Sequence, residues 1–292
     1  MTRARGFVSL PAVGWTRALL AVSAAALLVA CAGPGSPGAP GAAEGPALSW
    51  AERYQLQRHA RLRQAAPNGA TTMAAAPRPM PLPAAASAPS LQWQWEGQRL
   101  SADDYLRRHP VTALLVARDG QVVYERYAHG RGPQHHFLSN SMAKTVLGLG
   151  LGLAQAEGRL PAPDTPLHEL LPALRDTAYG QTTLRNLSRM GSGVHFEEVY
   201  NGQDDNARFR RSFMQVGVVQ ASRAFNDREA PPGSRFHYAG VEPALMGAAL
   251  RAATGQGLSA YLEPRLWQAI GAEAPADWET DALGLELGQC CG

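Results

Sequence analysis

Lysine is almost missing from this chain: 26 of its 27 basic side chains are arginine, and Lys144 stands alone. Cysteine is scarce as well, with three in 292 residues, too few for a disulfide-framed scaffold. No acidic residue precedes Glu44, whereas Arg3, Arg5 and Arg17 all fall before Cys31. Without those three arginines the acidic and basic side chains balance at 24 each, so the formal charge of +3 belongs to the leader and leaves no nucleic-acid footprint. No apolar run reaches the roughly 18–20 residues that a membrane helix needs, which excludes a multi-span membrane protein. What is present is a composition 45% hydrophobic and 17% charged, with 22 Pro and 30 Gly, enough for one or two domains with a real core.

The N-terminus reads as a targeting segment. Arginine-bearing residues 1–17 lead into the apolar run Ala18–Ala30, too short to span a bilayer and right for the hydrophobic region of a secretory signal. It closes on Leu28-Val29-Ala30-Cys31, which resembles a bacterial lipobox. That resemblance implies a diacylglycerol on the Cys31 thiol and, because Ala32 rather than an acid follows, an outer-membrane lipoprotein facing the periplasm; an ordinary secretory signal is the competing reading. With Cys31 lipidated, Cys290 and Cys291 remain, and a bridge between chain neighbours is strained, so two free or buried thiols are expected.

Composition divides the rest. Residues 32–90 are Ala/Pro/Gly-rich and predict a tether, interrupted by a short Arg-rich helix over Trp50–Gln64 and ending in an extended Pro77–Pro83 stretch. The globular domain is placed at 91–292. Within it, Ser101-Ala-Asp-Asp104 marks a helix start. Val111–Ala117, the turn pair Asp119-Gly120 and Gln121–Tyr127 form a hairpin signal. Helices are expected over 141–157, 166–174, 182–190, 242–254 and 258–270. Leu147–Leu153 alternates Leu and Gly with the period of a strand; read as a helix, it predicts close backbone approach at its glycines and burial nearly all round.

The lone lysine carries the chemistry. A guanidinium stays protonated, whereas an amine can release its proton and act as a base, so a chain that uses arginine elsewhere retains lysine where that property is needed. Ser141 lies three residues earlier, which on a helix puts both side chains on one face. A solvent-facing helical lysine is the alternative.

Leu114–Tyr127, then Ser139-Asn-Ser-Met-Ala-Lys144, then Thr183–Gly193 resemble successive landmarks of the serine β-lactamase-like hydrolases. That superfamily includes penicillin-binding proteins, class C β-lactamases, esterases and the nylon-oligomer (aminohexanoate-dimer) hydrolases. Glu197-Glu-Val-Tyr200 and the stretch from Leu266 through Trp278 to Gly284 resemble the last branch most. The resemblance implies an α+β, β-lactamase-like fold, an antiparallel sheet flanked by helices plus a helical subdomain. It also implies a Ser141 nucleophile, a Lys144 general base, a Tyr238 proton relay in Phe236-His-Tyr-Ala-Gly240, and a Tyr200 that closes over the substrate, with no metal or organic cofactor. For Tyr238 and Tyr200 the plain alternative is a structural aromatic. His135 and His136 receive no role.

Two departures from the family pattern follow. Gly240 stands where the second motif has Asn or Ser, removing a polar side chain from the substrate wall. No Lys-Thr-Gly or His-x-Gly occurs after Tyr238, so the C-terminal sheet strands and one backbone oxyanion donor are expected to be missing, a loss worth about 10²–10³ in rate. Other enzyme classes lack their residues: there is no Gly-x-Ser-x-Gly elbow, no second histidine after His168-Glu169, and no phosphate loop. The sequence therefore predicts a serine hydrolase acting on a small-molecule amide or ester, held at a membrane by Cys31. The alternative is a weak or inactive shortened relative that binds peptidoglycan fragments or a protein partner.

Overall fold

The computed structural model describes residues 66–290 apart from 67 and 88. The leader, the lipobox with Cys31, most of the tether and the helix expected over Trp50–Gln64 lie outside the described residues, as does Cys291. The described part is α+β: three two-stranded antiparallel sheets and seven α-helices.

The globular unit starts before residue 91. Strand β1 (Ala70–Met73) pairs antiparallel with β6 (Ala276–Glu279), Ala70 opposite Glu279 and Met73 opposite Ala276. Met73 and Ala76 are buried, and Thr71 Oγ1 bonds Ser259 Oγ at 2.6 Å. The correction has a plain cause, since an Ala- and Thr-rich segment gains order from a backbone partner two hundred residues away that composition cannot reveal. Pro83–Ala85 lies beside Val122, whose N–H donates to Pro83 O while Ala85 N donates to Val122 O, both at 2.9 Å.

Strands β2 (Gln92–Trp95) and β3 (Gln98–Ser101) turn through Glu96-Gly97, at φ 48° and 74°, the left-handed pair of a tight hairpin. Helix α1 (Ala102–Arg108) opens with the expected signal as a capping box: Asp104 N donates to Ser101 Oγ (3.1 Å) and Ser101 N to Asp104 Oδ2 (2.8 Å). The predicted hairpin forms as β4 (Ala113–Arg118) and β5 (Gln121–Tyr127), with Asp119 and Gly120 both at positive φ. Tyr124 OH ties it to α1 through Asp103 Oδ1 at 2.7 Å.

The helical half comprises α2 (Ala143–Ala156), α3 (Leu184–Ser188), α4 (Asp205–Val216), α5 (Val218–Ser222), α6 (Val241–Thr254) and α7 (Leu258–Leu262). Where a helix is expected over 166–174, two 3₁₀ turns form instead, Leu167–Glu169 and Pro172–Leu174, because Pro172 interrupts the donor ladder. The segment after α7 winds into a π-turn, Glu263–Trp267, at Pro264, which likewise has no N–H to give. Around these helices Phe196, Phe209, Phe213 and Phe225 meet edge to face, with centroids 5.1 Å apart for 196–225 and for 209–213.

Leu147–Leu153 is helical, and its glycines differ. A Cβ on Gly150 would lie 2.9 Å from Leu262 Cδ2, whereas Gly148 and Gly152 face open space. The expected burial all round therefore holds for one face only. Beyond β6, Leu285 and Leu287 return to the core, and Gly288 crosses α6 so closely that a Cβ there would sit 2.7 Å from Pro243 O and 3.4 Å from Gly247 Cα. That crossing delivers Gln289 to the neighbourhood of Lys144.

Candidate active site

Ser141 sits in a 3₁₀ turn, Asn140–Met142, that feeds α2. The turn is set by Asn140 in the left-handed region (φ 46°), a conformation Asn tolerates better than most residues, and by Met142 N donating to Ser139 O at 3.1 Å. Lys144 follows one turn later and its Nζ donates to Ser141 Oγ at 2.8 Å and to the backbone carbonyl of Gln289 at 2.6 Å. The i, i+3 spacing thus produces the contact the sequence suggests.

Tyr238 arrives from the other side. Its position is fixed by its neighbour: His237 N donates to Met190 O (2.9 Å), the His237 ring pairs with Phe196 O (2.7 Å), and α6 begins three residues after Tyr238. The Tyr238 hydroxyl lies 2.7 Å from Ser141 Oγ, and Lys144 Nζ stands 5.1 Å from the Tyr238 ring centroid. Partial burial pushes the phenol up, but the hydrogen bonds with Lys144 and Ser141, together with the lysine charge, outweigh it and hold the phenol below its ordinary value. The Ser141 hydroxyl therefore touches both an amine and a phenol held below its ordinary pKa.

Tyr200 stands over the same cavity with Glu198. Asp204 caps α4 through Ala207 N (2.9 Å) and with its other oxygen clamps the N–H groups of Val199 (2.8 Å) and Tyr200 (2.6 Å), holding Tyr200 at φ 59°. The Tyr200 hydroxyl donates to Glu198 Oε1 at 2.8 Å; burial, then the Glu198 bond and charge, drive that phenol upward.

The structure revises the reading of Gly240. Its N–H donates to Glu198 Oε2 at 2.6 Å, and a Cβ at Gly240 would come within 3.1 Å of that oxygen. The Glu198 carboxylate therefore fills the space next to the residue whose side chain is absent. A polar group is thus supplied beside Gly240 from another loop. Sequence reasoning passes over Glu198 because only the position of its loop in space makes it a neighbour of Gly240; the signal was a glutamate two residues before Tyr200.

Beside Ser141 lies a cavity of about 220 Å³ lined by Ser141, Lys144, Glu198, Tyr200, Arg210 and Gln289 among others; Tyr238 and Gly240 do not line it. Cys290 also borders it and is in a disulfide whose partner lies outside the described residues, which corrects the expectation of a free thiol there. The Cys290 N–H donates to Leu287 O at 3.1 Å, so it is spent within its own turn. Among the described residues no cluster of three or more His, Cys, Asp or Glu could hold a metal ion, and no helix is long and apolar enough to cross a membrane.

Residues 98–281, more than half of the chain, match the family model described as Beta-lactamase. No curated protein matches. Among solved structures, a provisionally named 6-aminohexanoate-dimer hydrolase from Bacillus anthracis superposes with a TM-score of 0.72 at 20% identity, over 82% of this chain and 65% of that one. A class C beta lactamase from Rhodobacter sphaeroides (20% identity, 56% and 45% covered, TM-score 0.41) and the D-alanine carboxypeptidase AmpC from Burkholderia cenocepacia (23%, 55% and 42%, 0.40) superpose over less. The chain thus spans 65% of the length of the Bacillus anthracis protein, and the shared fold is what that likeness shows. With the family model covering both the Ser141-Lys144 turn and the Tyr238 segment, the chain belongs to the Beta-lactamase family.

Proposed function

We propose that this chain is an exported serine hydrolase that opens an amide or ester through an acyl-enzyme on Ser141. The observation that carries the reading is the double contact at Ser141 Oγ, with Lys144 Nζ at 2.8 Å and Tyr238 OH at 2.7 Å. In acylation Ser141 Oγ bonds to the substrate carbonyl carbon while Lys144, steadied by the Gln289 carbonyl, takes the hydroxyl proton. Tyr238 hands a proton to the departing nitrogen or oxygen as the acyl bond breaks. Water then enters along the same path and releases the acid. Nucleophile, base and proton carrier are all side chains, so the reading requires no metal or organic cofactor. Export and the Cys31 anchor are part of the proposal; loss of membrane partitioning in Cys31→Ser is the expected result for a lipidated chain.

The downward shift of Tyr238 favours a second assignment of the base, in which the phenolate takes the Ser141 proton and Lys144 acts as a fixed positive charge. One experiment tests the reaction and separates these assignments. The purified chain is treated with a fluorescent fluorophosphonate and the adduct located by intact mass and peptide mapping. Ser141→Ala should abolish labelling. If Lys144 is the base, Lys144→Arg slows labelling by about 10²–10⁴, because the charge survives and the lone pair does not. If Tyr238 is the base, Lys144→Arg keeps most of the rate and Tyr238→Phe loses it. A folded chain that takes no label on Ser141 overturns the hydrolase reading and favours a binding module.

A further inference from the structure

The Ser141 cavity contains one charged group that no neighbour satisfies. Lys144 is committed to Ser141 and Gln289, and Glu198 accepts from Tyr200 and from Gly240. Arg210, from α4, lines the same cavity with no hydrogen bond or ion pair among the described residues. Its neighbours on α4 are different: Arg208 Nη1 binds Asp205 Oδ1 at 2.5 Å, and Arg211 Nη1 binds Gly202 O at 3.2 Å. Helical geometry explains the division. Phe209 and Phe213 anchor the buried face of α4, so Asn206 and Arg210, one turn apart, share the face that reaches the nucleophile's cavity.

From this arrangement we infer that Arg210, with Asn206 beside it, is the specificity residue for a carboxylate carried by the substrate. This inference rests on the acyl-transfer reading of Ser141. A guanidinium presents a rigid fork that matches a carboxylate through two hydrogen bonds, which the carboxamide of Asn206 can supplement with an N–H. Among the described residues Glu198 makes no ion pair with Arg210; its oxygens are turned to the Tyr200 hydroxyl and the Gly240 N–H. A cavity of about 220 Å³, open to solvent, admits a short acyl chain with a terminal charge. The substrate class that fits is a small amide or ester whose acyl part ends in a carboxylate, such as a half-amide or half-ester of a short dicarboxylic acid.

The test uses two esters of nearly equal shape, mono-(4-nitrophenyl) glutarate and 4-nitrophenyl 4-carbamoylbutanoate, which differ in carrying a carboxylate or a neutral carboxamide. In the wild-type chain kcat/KM should favour the anionic ester by about 10- to 100-fold, the range of a charge-assisted hydrogen-bond pair. Arg210→Met should bring that ratio close to one, while Arg211→Met, bound to its own loop, should leave it intact. The preference should also fall with added salt, since the cavity is open to solvent. Turnover of both esters with no preference, or a preference that survives Arg210→Met, overturns the inference and leaves the hydrolase reading standing. If neither ester acylates Ser141, calorimetric titration with glutarate decides separately: saturable binding that weakens about 10-fold or more in Arg210→Met supports the inference, and absent or unchanged binding overturns it.

Discussion

Helices α2 and α6 have the same length, fourteen residues, and both are mainly apolar, yet they are buried very differently. In α6 ten consecutive residues, Val241–Leu250, are buried, including a glutamate and a proline. In α2 only Ala143, Leu147, Gly150 and Ala154 are buried, and one flank of the helix borders an apolar groove of about 330 Å³ that starts at Lys144 and is shared with α3 and α6. The difference teaches that burial is conferred by neighbours rather than by the helix's own pattern. Helices α2, α3, α5 and α7 and the Gly288 crossing surround α6, whereas α2 carries neighbours on one face and Ser141 just before its start.

The sharpest way to break that comparison is to push the chain off α6. Gly288→Ala places a Cβ 2.7 Å from the carbonyl oxygen of Pro243, a backbone atom that cannot swing away. The expected loss is about 2–3 kcal/mol, seen as a lowered denaturation midpoint, with slower Ser141 labelling because Gln289 moves with it.

A second test uses the charge that α6 hides. Glu242 is buried against Ser192, whose hydroxyl donates to it at 2.8 Å, and burial raises the carboxyl to about 7 against an ordinary 4.5, even with Ser192 and Arg228 pulling the other way. The folded protein thus favours the protonated acid. That stability is fully present below about pH 4.5 and is lost as pH rises through 7. Glu242→Gln should therefore stabilise the fold by about 2 kcal/mol at pH 8 and confer little advantage at pH 4.5, as read from thermal melts at the two pH values.

The smallest effects sharpen the comparison within α2 itself. Gly148→Ala and Gly152→Ala add a methyl to open space in a helix and should each stabilise by about 0.5–1 kcal/mol. Gly150→Ala gains the same helix propensity but must displace Leu262 Cδ2 from 2.9 Å, so its midpoint should not rise. Urea titrations of the three variants rank them; equal gains would mean that the α2–α7 contact is looser than the geometry states.

Much of this architecture is legible from local signals. Asp119-Gly120 announces the β4–β5 hairpin, Ser101 and Asp104 announce α1, and a lone lysine three residues after a serine marks the turn in which the two side chains meet. What is not legible depends on distance. The β1–β6 pair joins four-residue strands some two hundred residues apart, and neither has a pattern long enough to stand out. Helix α4 is mostly polar along its length, with Phe209 and Phe213 as its buried anchors, so its apolar stripe is thin. Glu198 next to Gly240, and Gln289 next to Lys144, are contacts between loops whose approach no spacing encodes.

The Lys144–Gln289 bond joins residues 145 positions apart in the chain. The placement of the Lys144 amine beside Ser141 consequently depends on tertiary assembly, since the carbonyl that grips it belongs to the 285–289 segment that crosses α6. Under the acyl-transfer reading, a labelling rate followed through a denaturant titration is expected to fall when that segment leaves α6, with no probe placed anywhere but on the serine itself.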